Sequence, residues 1–442
     1  MRRYSWLFAI SASLILSACG VLGGSDKPKQ TPTIGKRTSI LARAESGAEV
    51  DPNIADISVI YPPAATNLAW SQPGGNAAKA MGHVGLGAPL GRVWTAGIAG
   101  TSTRVRLAAA PVISEGKLFV MDTDGVVHAY DSRSGSPLWT TSLRVDGDGE
   151  SSLFGGGASV DSGRVFATNG IGEVAALDAD NGSVIWKVKP AGPLRGAPTL
   201  SIGNVYVMTQ DNQLFALSQV DGSIVWNKAA SIGQAGVFGV AAPSAGQGTV
   251  IAGYSSGELN AYRYENGRDL WGDALARTSI STSVATLSDI DADPIIDRGR
   301  VYAVGQGGRM AAYELVTGQR IWELNIAGIS TPAIAGEWLF VLTDDSRILC
   351  ISRSSGKVRW ISQLKRWKDE KDKKGPVFWT GPVLAGGRLI VASTEGVVSS
   401  VATGDGAITP MFDLGSPVSL PPVVADNMLF LLDDGGRISA FR

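Results

Sequence analysis

APVISEGKLFVMDTDGVVHAYDSRSGSPLW, residues 110–139, holds four short runs of strand-forming residues. VIS leads, after Pro111. KLFVM follows Glu115-Gly116, VVHAY follows Asp122-Thr123-Asp124-Gly125, and the last run carries Trp139. Alternating apolar residues broken by Asp, Asn, Ser and Gly are the hairpin signal. The same order returns as APTLSIGNVYVMTQDNQLFALSQVDGSIVW at 197–226 and as TPAIAGEWLFVLTDDSRILCISRSSGKVRW at 331–360. Equivalent starts fall near Pro111, Ala158, Pro198, Pro243, Pro294, Pro332, Pro382 and Pro422. The period is about 40 to 50 residues, and four strands at that period make a propeller blade. The expected fold is all-β: an eight-bladed β-propeller with four antiparallel strands per blade.

The last copy is short. PPVVADNMLFLLDDGGRISAFR, residues 421–442, supplies three strands and then the chain ends. A blade without its outer strand leaves an unpaired edge and an open ring. Upstream of the first full repeat, Gly91-Arg92-Val93-Trp94 looks like the missing Gly-x-x-x-Trp strand, one residue shorter. The N-terminal segment is therefore expected to complete the last blade.

Each copy ends in a variant of Asp-x-x-x-Gly-x-x-x-Trp, seen in full at Asp178, Gly182 and Trp186. Burying one large aromatic at each blade junction is a sufficient architectural reason for it. A cofactor cage is the other reading. The seventh copy, Gly406-Ala407-Ile408-Thr409-Pro410, has no Trp, and that departure does not separate the two. The motif resembles the docking repeat of the quinoprotein dehydrogenases, which are also eight-bladed and bind pyrroloquinoline quinone with Ca²⁺. The resemblance covers the architecture. Many of those enzymes stack the quinone on a ring formed by adjacent Cys residues, and this chain has no Cys pair.

Composition narrows the function. The chain has 442 residues, 44% hydrophobic and 18% charged, with net charge -1. That excludes an electrostatic footprint for nucleic acid. The two His residues, His83 and His128, make no zinc site and no obvious acid–base pair. Gly253-Tyr254-Ser255-Ser256-Gly257 matches G-x-S-x-G, but it aligns with the hairpin turn at Asp122–Gly125, whereas a nucleophile elbow joins a strand to a helix. Asp289-Ile290-Asp291-Ala292-Asp293 opens like a calcium loop. Pro294 at the sixth position and Arg300 at the twelfth reject an EF-hand. Those acids are then a solvated loop or a partner contact. Neither a cofactor nor a metal is expected, and no enzyme.

The N-terminus reads as an export signal: Arg2 and Arg3, then an apolar run from Trp6 to Leu16. It falls short of the roughly 20 residues a membrane span needs. Leu16-Ser17-Ala18-Cys19 resembles the bacterial lipoprotein signal, in which the Cys is acylated and becomes residue one. Several acyl chains on one Cys anchor stably. In that class an Asp after the Cys favours inner-membrane retention, so Gly20 implies the outer membrane. The expected organisation is a signal peptide at 1–18, a lipidated flexible tether at 19–65 with room for a short ordered piece near Ile54 to Ile60, and a monomeric propeller at 66–442. With Cys19 lipidated, Cys350 stands alone in an apolar strand and is expected as a buried small hydrophobe.

Lipoprotein signal, tether and eight blades together resemble the BamB family, the propeller lipoproteins of the outer-membrane β-barrel assembly machine. Leu194-Arg195-Gly196 before Ala197-Pro198 is similar to that family's Leu-Arg-Gly loop, and Leu287-Ser288-Asp289-Ile290-Asp291 before Pro294 to its Leu-Ser-Asp-x-Asp loop. The resemblance implies that these loops contact the periplasmic domains of BamA, the central barrel protein. Leu194 and Arg195 would serve one contact, Asp289 and Asp291 the other. It also implies indirect association with other assembly lipoproteins and with unfolded outer-membrane proteins. Gly192 stands where the family has another apolar residue. Physically, an exposed Leu beside an Arg offers an apolar anchor and a planar donor, with two Asp residues giving the opposite charge nearby. The insert Lys365–Lys374 is mixed in sign and reads as a solvated loop, with an extra contact to a partner or to anionic headgroups as the alternative. A quinoprotein-type dehydrogenase and a periplasmic propeller for another partner, peptidoglycan included, are the alternatives.

Overall fold

In blade 1 the four runs are the strands Val112–Ser114, Lys117–Met121, Val126–Asp131 and Pro137–Ser142, paired antiparallel in chain order. Glu115 and Gly116 both take positive φ, 50° and 74°, as a two-residue hairpin between twisted strands requires. The second strand is buried along most of its length because neighbouring blades cover both its faces, while the fourth lies at the rim and is mostly exposed. The computed structural model describes residues 48–144, 155–232, 241–275 and 288–442. Among them the strands form eight four-stranded sheets and one two-stranded hairpin, and no helix occurs. Blades 2 to 7 span residues 156–188, 199–229, 244–274, 295–324, 333–363 and 379–413. Blade 8 joins Val423–Ala425, Met428–Leu432 and Arg437–Phe441 to the strand Arg92–Gly97, so the ring closes through the N-terminal strand as expected. Gly91 and Arg442 each donate an N–H to the other's carbonyl, at 2.8 and 2.9 Å.

The tryptophans have one job. Trp94, Trp139, Trp186, Trp226, Trp271, Trp322 and Trp360 each send the indole N–H to a carbonyl in the next blade: Ser132, Ala179, Gln219, Tyr264, Leu315, Arg353 and Thr403, at 2.8–3.1 Å. Each carbonyl lies in the turn between the third and fourth strands of that blade. The same turn presents its Gly to the ring: a Cβ on Gly135, Gly182, Gly222, Gly267, Gly318, Gly356 or Gly406 would fall within 2.4–2.8 Å of a carbon of the docked Trp. Gly is needed there for contact as well as for positive φ. Within its own blade the indole usually rests on an aromatic of the second strand, as Trp186 on Phe166 and Trp360 on Phe340.

Residues 48–65 depart from the flexible tether expected of them. Val50 bridges Val358 on the rim of blade 6, Asp51 pairs with Lys357, and Arg359 donates to the Ile57 carbonyl. Tyr61 then bonds Thr403, and His83 accepts from the Gly387 N–H. Residues 66–86, which form no blade strand, cross the hub. Asn67 takes the N–H of Asp426 in blade 8, Trp70 pairs with Ile113 in blade 1, and Ser71 takes that of Val160 in blade 2. Gln72 bonds Leu200 in blade 3, Ala77 takes the N–H of Ala245, Ala78 that of Ile296, and Val84 donates to Leu384 in blade 7. The pattern was invisible in sequence because the contacts are single bonds, many of them backbone, with no periodicity. Antiparallel strands place the first and third turns of every blade at one end of the ring, and this segment closes that end.

Candidate functional site at the open end of the ring

The other end carries the second turn of each blade and the connections between blades. Both sequence-identified loops lie there. Leu194 and Arg195 belong to the connection from blade 2 to blade 3, and Asp289 and Asp291 to the connection from blade 4 to blade 5. The structure brings three of the four together. One Arg195 guanidinium nitrogen donates to Asp289 Oδ1 at 2.9 Å and to Asp291 Oδ1 at 3.0 Å. Each loop is fastened in turn. Arg195 N–H donates to the Met208 carbonyl and its carbonyl accepts from Gly156, while Asp289 accepts the Gln306 N–H through its carbonyl.

The expected exposure does not hold. Leu194 is 0% exposed and packs with Phe166, Val174 and Val207, so it anchors the loop and not a partner. Arg195 is 1% exposed and Asp289 0%. A guanidinium placed between two carboxylates is buried because they neutralise it; an unpaired charge at that depth would cost several kcal/mol. Gly192 and Pro193 reach solvent and Asp291 does so in part, but Asp289 and Asp293 are buried, so the solvated-loop alternative does not hold for those two acids. Leu287 and Cys19 lie outside the described residues.

One positive charge meets two carboxylates, and the surplus shows. Asp291 is pushed up to about 7 by burial and by the charge of Asp289, against the pull of Arg195. Asp344, nearby, is raised to about 6 by burial and by Asp345. Deeper in the hub, burial lowers the Lys79 ammonium to about 8 although Asp293 opposes it, and burial raises Asp293. Lys79 donates to the Pro73 carbonyl and to Thr199 Oγ1, at 2.9 and 3.1 Å.

Lys79, Asp291 and Asp293 line a central cavity of about 720 Å³. Its floor is the crossing segment near Trp70 and Val84, and its rim includes the exposed side chains of Ile329 and Phe378. A planar tricarboxylate such as pyrroloquinoline quinone does not fit these residues. The cavity offers Lys79, already bonded twice, and Arg106 against Asp291, Asp293 and Asp434. Among the described residues no group of His, Cys, Asp and Glu is placed to hold a metal ion. The G-x-S-x-G match is a hairpin turn, as expected: Gly257 donates to the Tyr254 carbonyl, and the Ser255 hydroxyl bonds Asn212. His128 pairs with Asp122 on blade 1 at 2.7 Å. Cys350 is fully buried, its thiol pushed up to about 12.

The profile of the family described as outer membrane protein assembly factor BamB matches residues 81–154, 123–362 and 365–442. The chain belongs to the BamB family. It is 27% identical to the BamB of Yersinia pestis over 329 residues, covering 73% of this chain and 81% of that protein. It is 27% identical to the BamB of Escherichia coli over 335 residues, covering 74% and 82%. The crystal structure of BamB from Moraxella catarrhalis superposes with a TM-score of 0.64 at 20% identity, covering 80% of this chain and 98% of that one. Quinohemoprotein alcohol dehydrogenase from Comamonas testosteroni superposes comparably, TM-score 0.67 at 15% identity over 91% and 84%. The two superpositions show a shared ring and do not separate the families; the sequence profile does. Within this BamB-family ring, sequence reasoning missed the segment that closes one end, and it missed that Arg195 is spent on the two Asp residues of the other loop.

Proposed function

We propose that this chain is a lipid-anchored scaffold of outer-membrane β-barrel assembly, held through acylated Cys19 with the propeller in the periplasm. Its open end binds the periplasmic domains of BamA around the loops of Arg195, Asp289 and Asp291, and it performs no chemistry of its own. The observation that carries this reading is the tie between the two loops. Arg195 and Asp289, 94 positions apart, hold two blade connections as one stiff rim. Loops on a rigid ring suit partner binding because their shape is set before contact. Leu194, Arg195 and Asp289 act as positioning residues, Asp291 stands partly exposed, and the exposed Gly192-Pro193 presents backbone beside them. Other assembly lipoproteins would associate through BamA, and unfolded outer-membrane proteins would be clients of the assembled complex.

The test is co-purification with BamA from detergent-solubilised membranes, for wild type, Asp291→Lys and Arg195→Lys. Circular dichroism and thermal melts report folding, and the mass of the mature N-terminus reports acylation of Cys19. Capture by wild type and its loss in folded Asp291→Lys supports the reading, with Arg195→Lys intermediate. No capture by wild type overturns it; reconstitution with quinone and Ca²⁺ then tests the dehydrogenase alternative.

A further inference from the structure

The charged insert between blades 6 and 7 carries six basic and three acidic residues over 365–374, and the fold shows where that surplus lies. Its strands Trp367–Asp369 and Lys374–Pro376 pair as a small hairpin beside the blades. The hairpin spends its acids internally. Glu370 accepts the backbone N–H groups of Arg366 and Trp367. Asp369 accepts those of Lys371 and Asp372, and Asp372 itself takes Lys374 at 3.3 Å. Lys365 is matched by Glu395 of blade 7, at 2.8 Å. Arg366, Lys368, Lys371 and Lys373 remain, all exposed, and none has a carboxylate within ion-pair distance among the described residues. Lys368 lays its methylene stem across Gly375, where a Cβ would meet it at 3.2 Å, which leaves its ammonium at the surface. Trp367 opens the hairpin half-buried, and Phe378 follows it 59% exposed.

We propose that this hairpin docks on a membrane surface bearing anionic lipid headgroups. Unpaired cations beside the half-buried ring of Trp367 match a headgroup layer, where charge attracts and an aromatic ring settles at the interface. Placement favours a membrane over an acidic protein segment. The hairpin grows directly from the rim strand of blade 6, Val358–Gln363, and Val50 bridges Val358 on that same strand. The chain leading back to Cys19 therefore meets the propeller on the blade that carries the hairpin. The inference rests on the lipid-anchor reading above; Val50 meets the rim strand at its Val358 end and the hairpin leaves it beyond Gln363, so the outer edge of blade 6 faces the bilayer along its length.

The experiment uses the full lipidated chain in vesicles, with a fluorophore on Asp372→Cys, since Cys350 is buried and Cys19 is acylated. Flotation with phosphatidylcholine vesicles reads the anchor alone. Acrylamide quenching of the dye is then compared in phosphatidylcholine and in vesicles with added phosphatidylglycerol. Quenching is expected to fall about threefold in the anionic vesicles and to return in high salt. It should also return when Arg366, Lys368, Lys371 and Lys373 are all changed to Gln. Near an anionic surface each such cation contributes roughly fivefold in partitioning, so an unanchored chain with the four substitutions should bind anionic vesicles at least about tenfold more weakly. Equal quenching in both vesicles, with flotation intact, overturns the proposal and leaves the anchor standing. Protection that appears only when BamA is added overturns it in favour of an acidic protein surface. Failure to float in phosphatidylcholine refutes the anchor instead.

Discussion

Seven of the eight blade junctions are sealed one way and the eighth another. At the seven, a Trp on the rim strand of one blade docks on the Gly turn of the next and bonds its carbonyl. Between blades 7 and 8 the rim strand Ile408–Asp413 carries Pro410 where the Trp would stand. The reason lies in the following blade. The turn that would receive a Trp there is the gap between Arg442 and Gly91, where the two ends of the propeller meet. Phe412 instead stacks on Phe441 with centroids 4.3 Å apart, and Arg92 lies over the Phe441 ring at 5.6 Å. One rule explains both irregularities of the sequence, the missing Trp and the short last copy: the Trp serves its neighbour's turn, so it disappears where the turn does. A cofactor cage has no reason to follow that rule, which assigns the repeat to architecture.

The comparison breaks most visibly if the closure is removed. Deleting Arg92–Gly97 exposes the edge of Arg437–Phe441, and the chain is expected to lose its cooperative thermal transition or to aggregate. A truncated protein melting within about 5 °C of wild type would show that the seams alone hold the ring. Next come Phe441→Ala and Trp226→Ala, each expected to cost about 3–5 kcal/mol in chemical denaturation. Amide exchange separates them: the first should speed exchange in Arg92–Gly97 and the second should not. Gly267→Ala places a Cβ 2.7 Å from the Trp226 ring at φ +68°, whereas Gly203→Ala, φ +74°, meets nothing within 4 Å. Gly203→Ala should cost about 1–2 kcal/mol for the left-handed backbone, and Gly267→Ala about 1–3 more for displacing the ring. Pro410→Trp should gain nothing, within about 0.5 kcal/mol, because no turn awaits the indole.

The last contrast is between the apolar seams and the Arg195 tie, which titrates. The folded-state pKa of Asp291 is raised to about 7 from 3.8. Its contribution is therefore complete below pH 4 and lost as pH rises towards 7 and just above. Denaturation should show stability falling over that window by on the order of 1 kcal/mol, and Asp291→Asn should flatten the slope. Trp226→Ala should leave the slope unchanged.

Much of this was legible in the chain. Period, strand count, closure by Arg92–Gly97 and the Trp at seven of the eight rims follow from alternation and turn residues, because the blades state them again and again. What repetition did not state was lost. Residues 48–86 hold the ring through isolated backbone bonds and single side-chain contacts such as Tyr61 to Thr403 and Gln72 to Leu200, none of which recurs along the chain. Arg195 and Asp289 looked like surface charges because a lone Arg in a polar loop carries no sign of a partner 94 positions away. The 365–374 insert, three acids among six basic residues, read only as mixed in sign. Only the fold shows that two of the three carboxylates, Asp369 and Glu370, face their own backbone.

The closure also has a consequence in time. A chain delivered from its N-terminus presents Arg92–Gly97 before any blade exists, yet that strand pairs with Arg437–Phe441, which follows the strands of all seven other blades. The first strand made is the last to find its partner. Contacts of such long range are slow to form. Until they do, seven complete blades stand as an open arc with the edge of Arg437–Phe441 unpaired. The propeller thus passes through the same exposed-edge hazard as the barrel proteins whose assembly it is proposed to serve.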